Sequence, residues 1–95
     1  MIEVRVRKNQ IHVSGHAGHA PPGQDIICAA VSALVQTLLV SIDSLAEDEI
    51  KYEISSGRAD IYYGNLSEKS RTLVDSFFIG ICMIAGEFPD NVRIV

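Results

Sequence analysis

The chain has 95 residues, enough for one domain spanning 1–95 and too few for two with separate cores. It is 47% hydrophobic and 21% charged with no low-complexity tract, which excludes disorder. The net charge of −4 comes with lysines and arginines scattered singly, so a nucleic-acid partner, which needs a basic stripe, is excluded as well.

Residues 2–7 alternate, with Ile2, Val4 and Val6 on one side and Glu3, Arg5 and Arg7 on the other, as in a half-buried strand. Lys8-Asn9 makes a turn, and Ile11 and Val13 continue the alternation in a second strand of a hairpin. This opening segment does not read as a signal peptide. A loop with glycines and prolines covers 15–24. From Asp25 to about Leu45 the period turns helical, with Ile27, Val31, Leu34, Val35, Leu38 and Ile42 on one stripe, and the first half of this helix is expected to be buried on most sides. No uninterrupted run of about 20 apolar residues occurs, so no membrane span is expected.

Residues 50–55 and 58–63 alternate around Ser56-Gly57 as a second hairpin. Ser67 then caps a second helix with Leu73, Val74, Phe77, Phe78, Ile81 and Ile84 inside and Ser70 and Arg71 outside, and Gly86 and Pro89 end it. Val92 and Ile94 form a short last strand. The order ββαββαβ predicts an α+β fold, an antiparallel sheet with two helices packed on one face.

Chemistry concentrates in SGHAGHAPPGQDIICAAVSAL, residues 14–34. Asp25 precedes the apolar helical run and is placed to cap it by accepting the amide of Ile27 or Cys28. Cys28 is then the third helical residue, in a first turn whose amides and dipole favour an anion. Because the thiolate is the attacking form of cysteine, Cys28 is a candidate nucleophile, although a charged Asp25 nearby acts in the opposite direction. Cys82, among Phe78, Ile79, Ile81 and Met83, reads as a small core hydrophobe.

A cysteine nucleophile needs a base within reach and a group to orient that base. His16 ends the second strand where it can project over the helix start, and Asp25 is an orienting or capping group. Ser32 lies one turn beyond Cys28 on the same helix face. His12 belongs to the polar face of its strand, and His19 lies deeper in the loop. His16, His19, Asp25 and Cys28 make one incomplete ligand set where structural zinc sites show two paired motifs, so no metal and no cofactor is expected.

The stretch resembles the ribosomal-processing cysteine protease family called Prp. The resemblance rests on Gly15-His16-Ala17, on Gly23-Gln24-Asp25-Ile26-Ile27-Cys28-Ala29-Ala30, and on Val31-Ser32-Ala33, with the family's spacing from His16 to Cys28. It implies a cysteine endopeptidase that removes the N-terminal extension of bacterial large-subunit ribosomal protein twenty-seven. In that reading Cys28 is the nucleophile, His16 the general base, and cleavage follows a pair of phenylalanines and precedes a small residue. Gly15, Ala17, Gly18, His19 and Gly23 would form a flexible substrate loop. The resemblance also implies a cytoplasmic homodimer whose partner is the ribosomal protein precursor, without membrane or nucleic acid. Two rivals share the same residues: a phage-type relative cleaving another protein, and a non-catalytic module that binds a peptide or ribosomal protein.

Overall fold

A computed structural model describes residues 1–18, 20–21 and 25–95. Along them run β1 (Ile2–Val6), β2 (Gln10–Ser14), α1 (Ile26–Leu45), β3 (Lys51–Ser55), β4 (Arg58–Tyr62), α2 (Glu68–Glu87) and β5 (Val92–Ile94), the expected ββαββαβ order. The strands form one sheet in the order β3-β4-β2-β1-β5. Its register puts Val4 opposite Val13 and Ile11 opposite Ile61, so the apolar halves of the alternating strands share one face. That face packs on Ile27, Val31, Leu38 and Ile42 of α1 and Phe77 and Ile81 of α2. Fully burying such a side chain is worth about 1.5–3 kcal/mol. An exposed ion pair such as Arg93 with Glu3 is screened by solvent and adds little, so the core decides where the elements sit.

The sheet departs from the antiparallel expectation at one edge, where β5 runs parallel to β1. The cause lies in the connections. Strands β2 and β3 both run antiparallel to β4, so they are parallel to each other, and α1 is the crossover between them. By the same counting β4 and β5 are parallel, and α2 carries the chain across β2 and β1. Crossovers of this kind are right-handed in about 98% of cases. The two travel in opposite directions along the sheet from strands of opposite direction, so a common hand puts both helices on one face.

Expectations for both helices need correction. The first half of α1 is not buried on most sides: Ile26 is 64% exposed, and Ala29, Ala30 and Ala33 face outward too. By length and composition alone α1 would be apolar enough to cross a membrane, with Ser32, Gln36 and Thr37 interrupting it, but its inner stripe packs on the sheet. On α2 the outward and inward positions are partly exchanged. Ser70 is fully buried and its hydroxyl donates to Asp48 (2.5 Å), whereas Phe78 and Cys82 are exposed. The same Asp48 carboxylate accepts from the Ser67 amide and hydroxyl, and these bonds hold its pKa below the usual carboxylate range.

The other face of the sheet carries charge. Arg5, His12, Asp60 and Glu53 stand in one row across four strands. His12 is bonded to Asp60, which also accepts from Arg58 Nε at 2.8 Å, and the bonds from His12 and Arg58 lower the Asp60 pKa. His12 is therefore a partnered residue of the open face.

Edge strand β3 is exposed along its whole length. Tyr52 and Ile54 are on the helix side of the sheet, yet they stay about half exposed because the helices do not reach over them. That leaves an open shelf between β3 and α1.

Candidate active site

At the end of β2 the chain passes Gly15 with φ +97°, where a Cβ would lie 2.2 Å from the Met1 carbonyl oxygen. Only glycine fits both the conformation and the space. The Gly15 amide donates to the carbonyl of Gly57 in the β3–β4 turn at 2.8 Å. The His16 carbonyl accepts from the Met1 amino group (2.5 Å), and the buried Ala17 carbonyl accepts from Asn91 Nδ2 (2.9 Å). Residues 15–17 are thus tied to β1, to the second hairpin and to the segment before β5, not loose as their glycine suggested.

The helix side is tied as closely. Asp25 is the N-cap of α1: its Oδ1 accepts from the Ile27 and Cys28 amides, both at 3.0 Å, and its Oδ2 accepts from the Ala20 amide at 3.3 Å. The Ala29 amide donates to the Asp25 carbonyl. The first-turn amides of Ile27, Cys28 and Ala29 are therefore committed to Asp25, which overturns the expectation that they greet an anion at Cys28. Among the described residues, the donor that faces the sulfur is on the loop: the Ala17 amide donates to Cys28 Sγ at 3.3 Å.

Replacing Asp25 by alanine removes the cap and the tie to Ala20 together. The expected loss of stability is about 0.5–2 kcal/mol, read from the urea midpoint, and Asp25→Asn, which keeps an oxygen acceptor, should recover most of it. Equal midpoints for Asp25→Ala and the unaltered protein would mean that these bonds contribute nothing net.

His16, Cys28 and Ser32 line two clefts at once. The first, of about 130 Å³, is completed mainly by Val13, Val31, Val35 and Ile54, so it is largely apolar and opens onto the β3 shelf. The second lies toward Gly18, Ala20, Asp25, Ala29 and Ser56. The three residues form a saddle between an apolar hollow and a more polar one. Half-buried Cys28 sits at the middle, and the Ser32 hydroxyl accepts from Gln36 Nε2 at 3.4 Å.

His19 and Gly23 lie outside the described residues. Among the described residues no three His, Cys, Asp or Glu side chains gather as a metal site would require. Sequence reading missed the Ala17 amide, Asn91 and Gly57. A backbone donor leaves no mark on residue choice, and nothing in the spacing shows that Gly57 and Asn91 come back to residues 15–17.

Comparison with known proteins adds to this geometry. A family model described as cysteine protease Prp matches residues 1–93. The ribosomal processing cysteine protease Prp of Bacillus subtilis (strain 168) is 24% identical over 107 residues, covering 99% of this chain and 96% of its own. That of Staphylococcus aureus (strain Mu50 / ATCC 700699) is 25% identical over 85 residues, covering 86% and 80%. Among solved structures, the S. aureus ribosomal processing protease Prp with a covalently linked product peptide superposes with a TM-score of 0.88 at 20% identity, covering 98% of this chain and 94% of that one. SMU.848 from Streptococcus mutans does so with a TM-score of 0.75 at 28% identity, covering 98% and 89%.

Proposed function

The chain belongs to the cysteine protease Prp family and is a cysteine protease, and on that premise we propose that Cys28 is its nucleophile and His16 its general base. The observation that carries the assignment is the saddle, where both side chains open onto the same two clefts. A peptide laid across it has the residues on either side of its scissile bond in different clefts. His16 takes the thiol proton, Cys28 Sγ attacks the scissile carbonyl, and His16 returns the proton to the leaving amine. Water then hydrolyses the thioester, with His16 again acting as base.

The tetrahedral intermediate needs a donor for its oxyanion. With the amides of residues 27–29 committed, the Ala17 amide is our candidate, because it is already 3.3 Å from the sulfur that bonds to the reacting carbon. A well-placed donor of this kind is worth about 2.7–4 kcal/mol. Asp25 acts by capping α1 and holding Ala20, and Ser32 is a neighbour that can bond the substrate backbone from either cleft.

The substrate we propose is the precursor of bacterial large-subunit ribosomal protein twenty-seven, cut to remove its N-terminal extension. The relatives' designation as ribosomal processing proteases supports this, and the net charge of −4 suits a basic ribosomal partner. We place the enzyme in the cytoplasm, in keeping with two cysteines outside any disulfide. We also propose a homodimer, supported by the exposed Ile26 and Val40 on α1, both more than 60% exposed.

Thiol reactivity tests the nucleophile directly. Cys82 is exposed and Cys28 half-buried, so access alone would favour Cys82. Iodoacetamide at pH about 6.5 should nevertheless label Cys28 first, because reactivity follows thiolate character. Faster labelling of Cys82 would remove Cys28 as the activated nucleophile.

A further inference from the structure

We propose that Gly57 is a positioning residue for this reaction: the β3–β4 turn is the seat of the His16 imidazole, and the seat exists only because residue 57 has no side chain. The proposal rests on the reading of His16 as general base and adds to it a residue from the second half of the chain.

A Cβ built on Gly57 would lie 2.7 Å from His16 Nε2, 3.0 Å from Cε1 and 3.4 Å from Cδ2. Ordinary contact begins at 3.4–4 Å, so the imidazole edge rests in the space where a side chain would be. The same residue holds the backbone leading into His16, since its carbonyl accepts from the Gly15 amide at 2.8 Å. Gly15 in turn is pressed against the Met1 carbonyl, so this backbone cannot retreat from the turn. Ala17, on the other side of His16, is held by Asn91 and faces Cys28 Sγ. With the chain fixed before and after His16, a methyl at position 57 must be accommodated by the ring. The ring would shift by roughly 1 Å, and a misplacement of that size at a reacting group costs about 10²-fold in rate.

Gly57 also has φ +71°, which strains most residues with a side chain. Two substitutions separate the turn from the seat. Alanine brings both the strain and the Cβ. Asparagine tolerates the left-handed conformation but still puts a Cβ in the ring's place. Gly57→Asn should therefore fold and lose about 10²-fold in kcat. Alkylation of Cys28, which involves no substrate, should slow in the same variant and not in Ile81→Val, a core change on α2. Merely lowered stability would not produce that pattern.

A folded Gly57→Asn with the kcat of the unaltered enzyme overturns the proposal. So does the absence of nuclear Overhauser contacts between the Gly57 α protons and the His16 ring protons in the unaltered protein, a measurement that needs no variant to fold. His16→Ala distinguishes the two levels. If it is inactive while Gly57→Asn is active, the seat falls and the base stands; if His16→Ala is active, the base reading falls first.

Discussion

Replacing His16 by alanine should lower kcat/KM for precursor cleavage by about 10²–10⁴, the usual contribution of a positioned base. Cys28→Ala should show no cleavage, since no sulfur remains to form the thioester. The two histidines on either side in the sequence are the controls. His12 is bonded to Asp60 on the face of the sheet opposite the helices, so His12→Ala should retain turnover. His19 stands outside the signature that carries His16, and His19→Ala should likewise keep much of it. The measurement is the intact mass of a precursor carrying the extension, followed over time with each variant. If His19→Ala proves the crippling change and His16→Ala the mild one, the base is misassigned and the saddle is not the reacting centre.

Much of the fold could be read because it follows period and punctuation. The alternation of Ile2, Val4 and Val6 and of Ile11 and Val13 survives intact as the buried side of β1 and β2, apart from the half-buried Val6 near the strand's end. Asp25 and Ser67 cap α1 and α2 as their positions suggested, with bonds to the Ile27, Cys28 and Ser70 amides. What failed was decided by partners distant in sequence. Ser70 looked like a surface residue, yet Asp48 gives its hydroxyl a reason to be buried. Cys82 looked like core, but it is exposed on α2. The parallel edge at β5 was available in principle, because strands joined by a helical crossover point the same way.

The site divides along the same line. Local spacing put His16 and Cys28 forward as candidates, because β2 and α1 are joined by the very loop that bears the motif, and both residues line the same two clefts. The surroundings came from elsewhere: Ile54 and Gly57 from the second hairpin, and Asn91 from the segment before β5. No periodicity could show that these return to the first turn of α1. The first-turn amides were misjudged for a simpler reason. A cap good enough to start the helix also occupies the donors that an incoming anion would have used.

The second large effect should appear in the substrate. A peptide spanning Phe-Phe-Ala should be cut once, after the second phenylalanine, and replacing both phenylalanines by alanine should lower kcat/KM by about 10²–10⁴. The figure follows from about 1.5–3 kcal/mol for each aromatic ring taken out of water, with each tenfold corresponding to about 1.4 kcal/mol. The apolar cleft beside Cys28 is where such a ring has something to gain: Val13, Val31, Val35, Ile54 and the small Ala59 line it. Ala30 and Ala33, small residues on the nucleophile's helix, face outward and line neither cleft, whereas Ala29 lines the second. A bulky residue at position 59 should therefore hurt the Phe-Phe peptide more than one at position 33, since only Ala59 borders the hollow. The comparison is of specificity constants for the two peptides, with Cys28→Ala enzyme as the blank. Equal constants would mean that the cleft does not read the aromatic pair. The chain would then be a cysteine protease whose substrate is recognised by other side chains, the outcome expected of a relative that cleaves a different protein with the same His16 and Cys28.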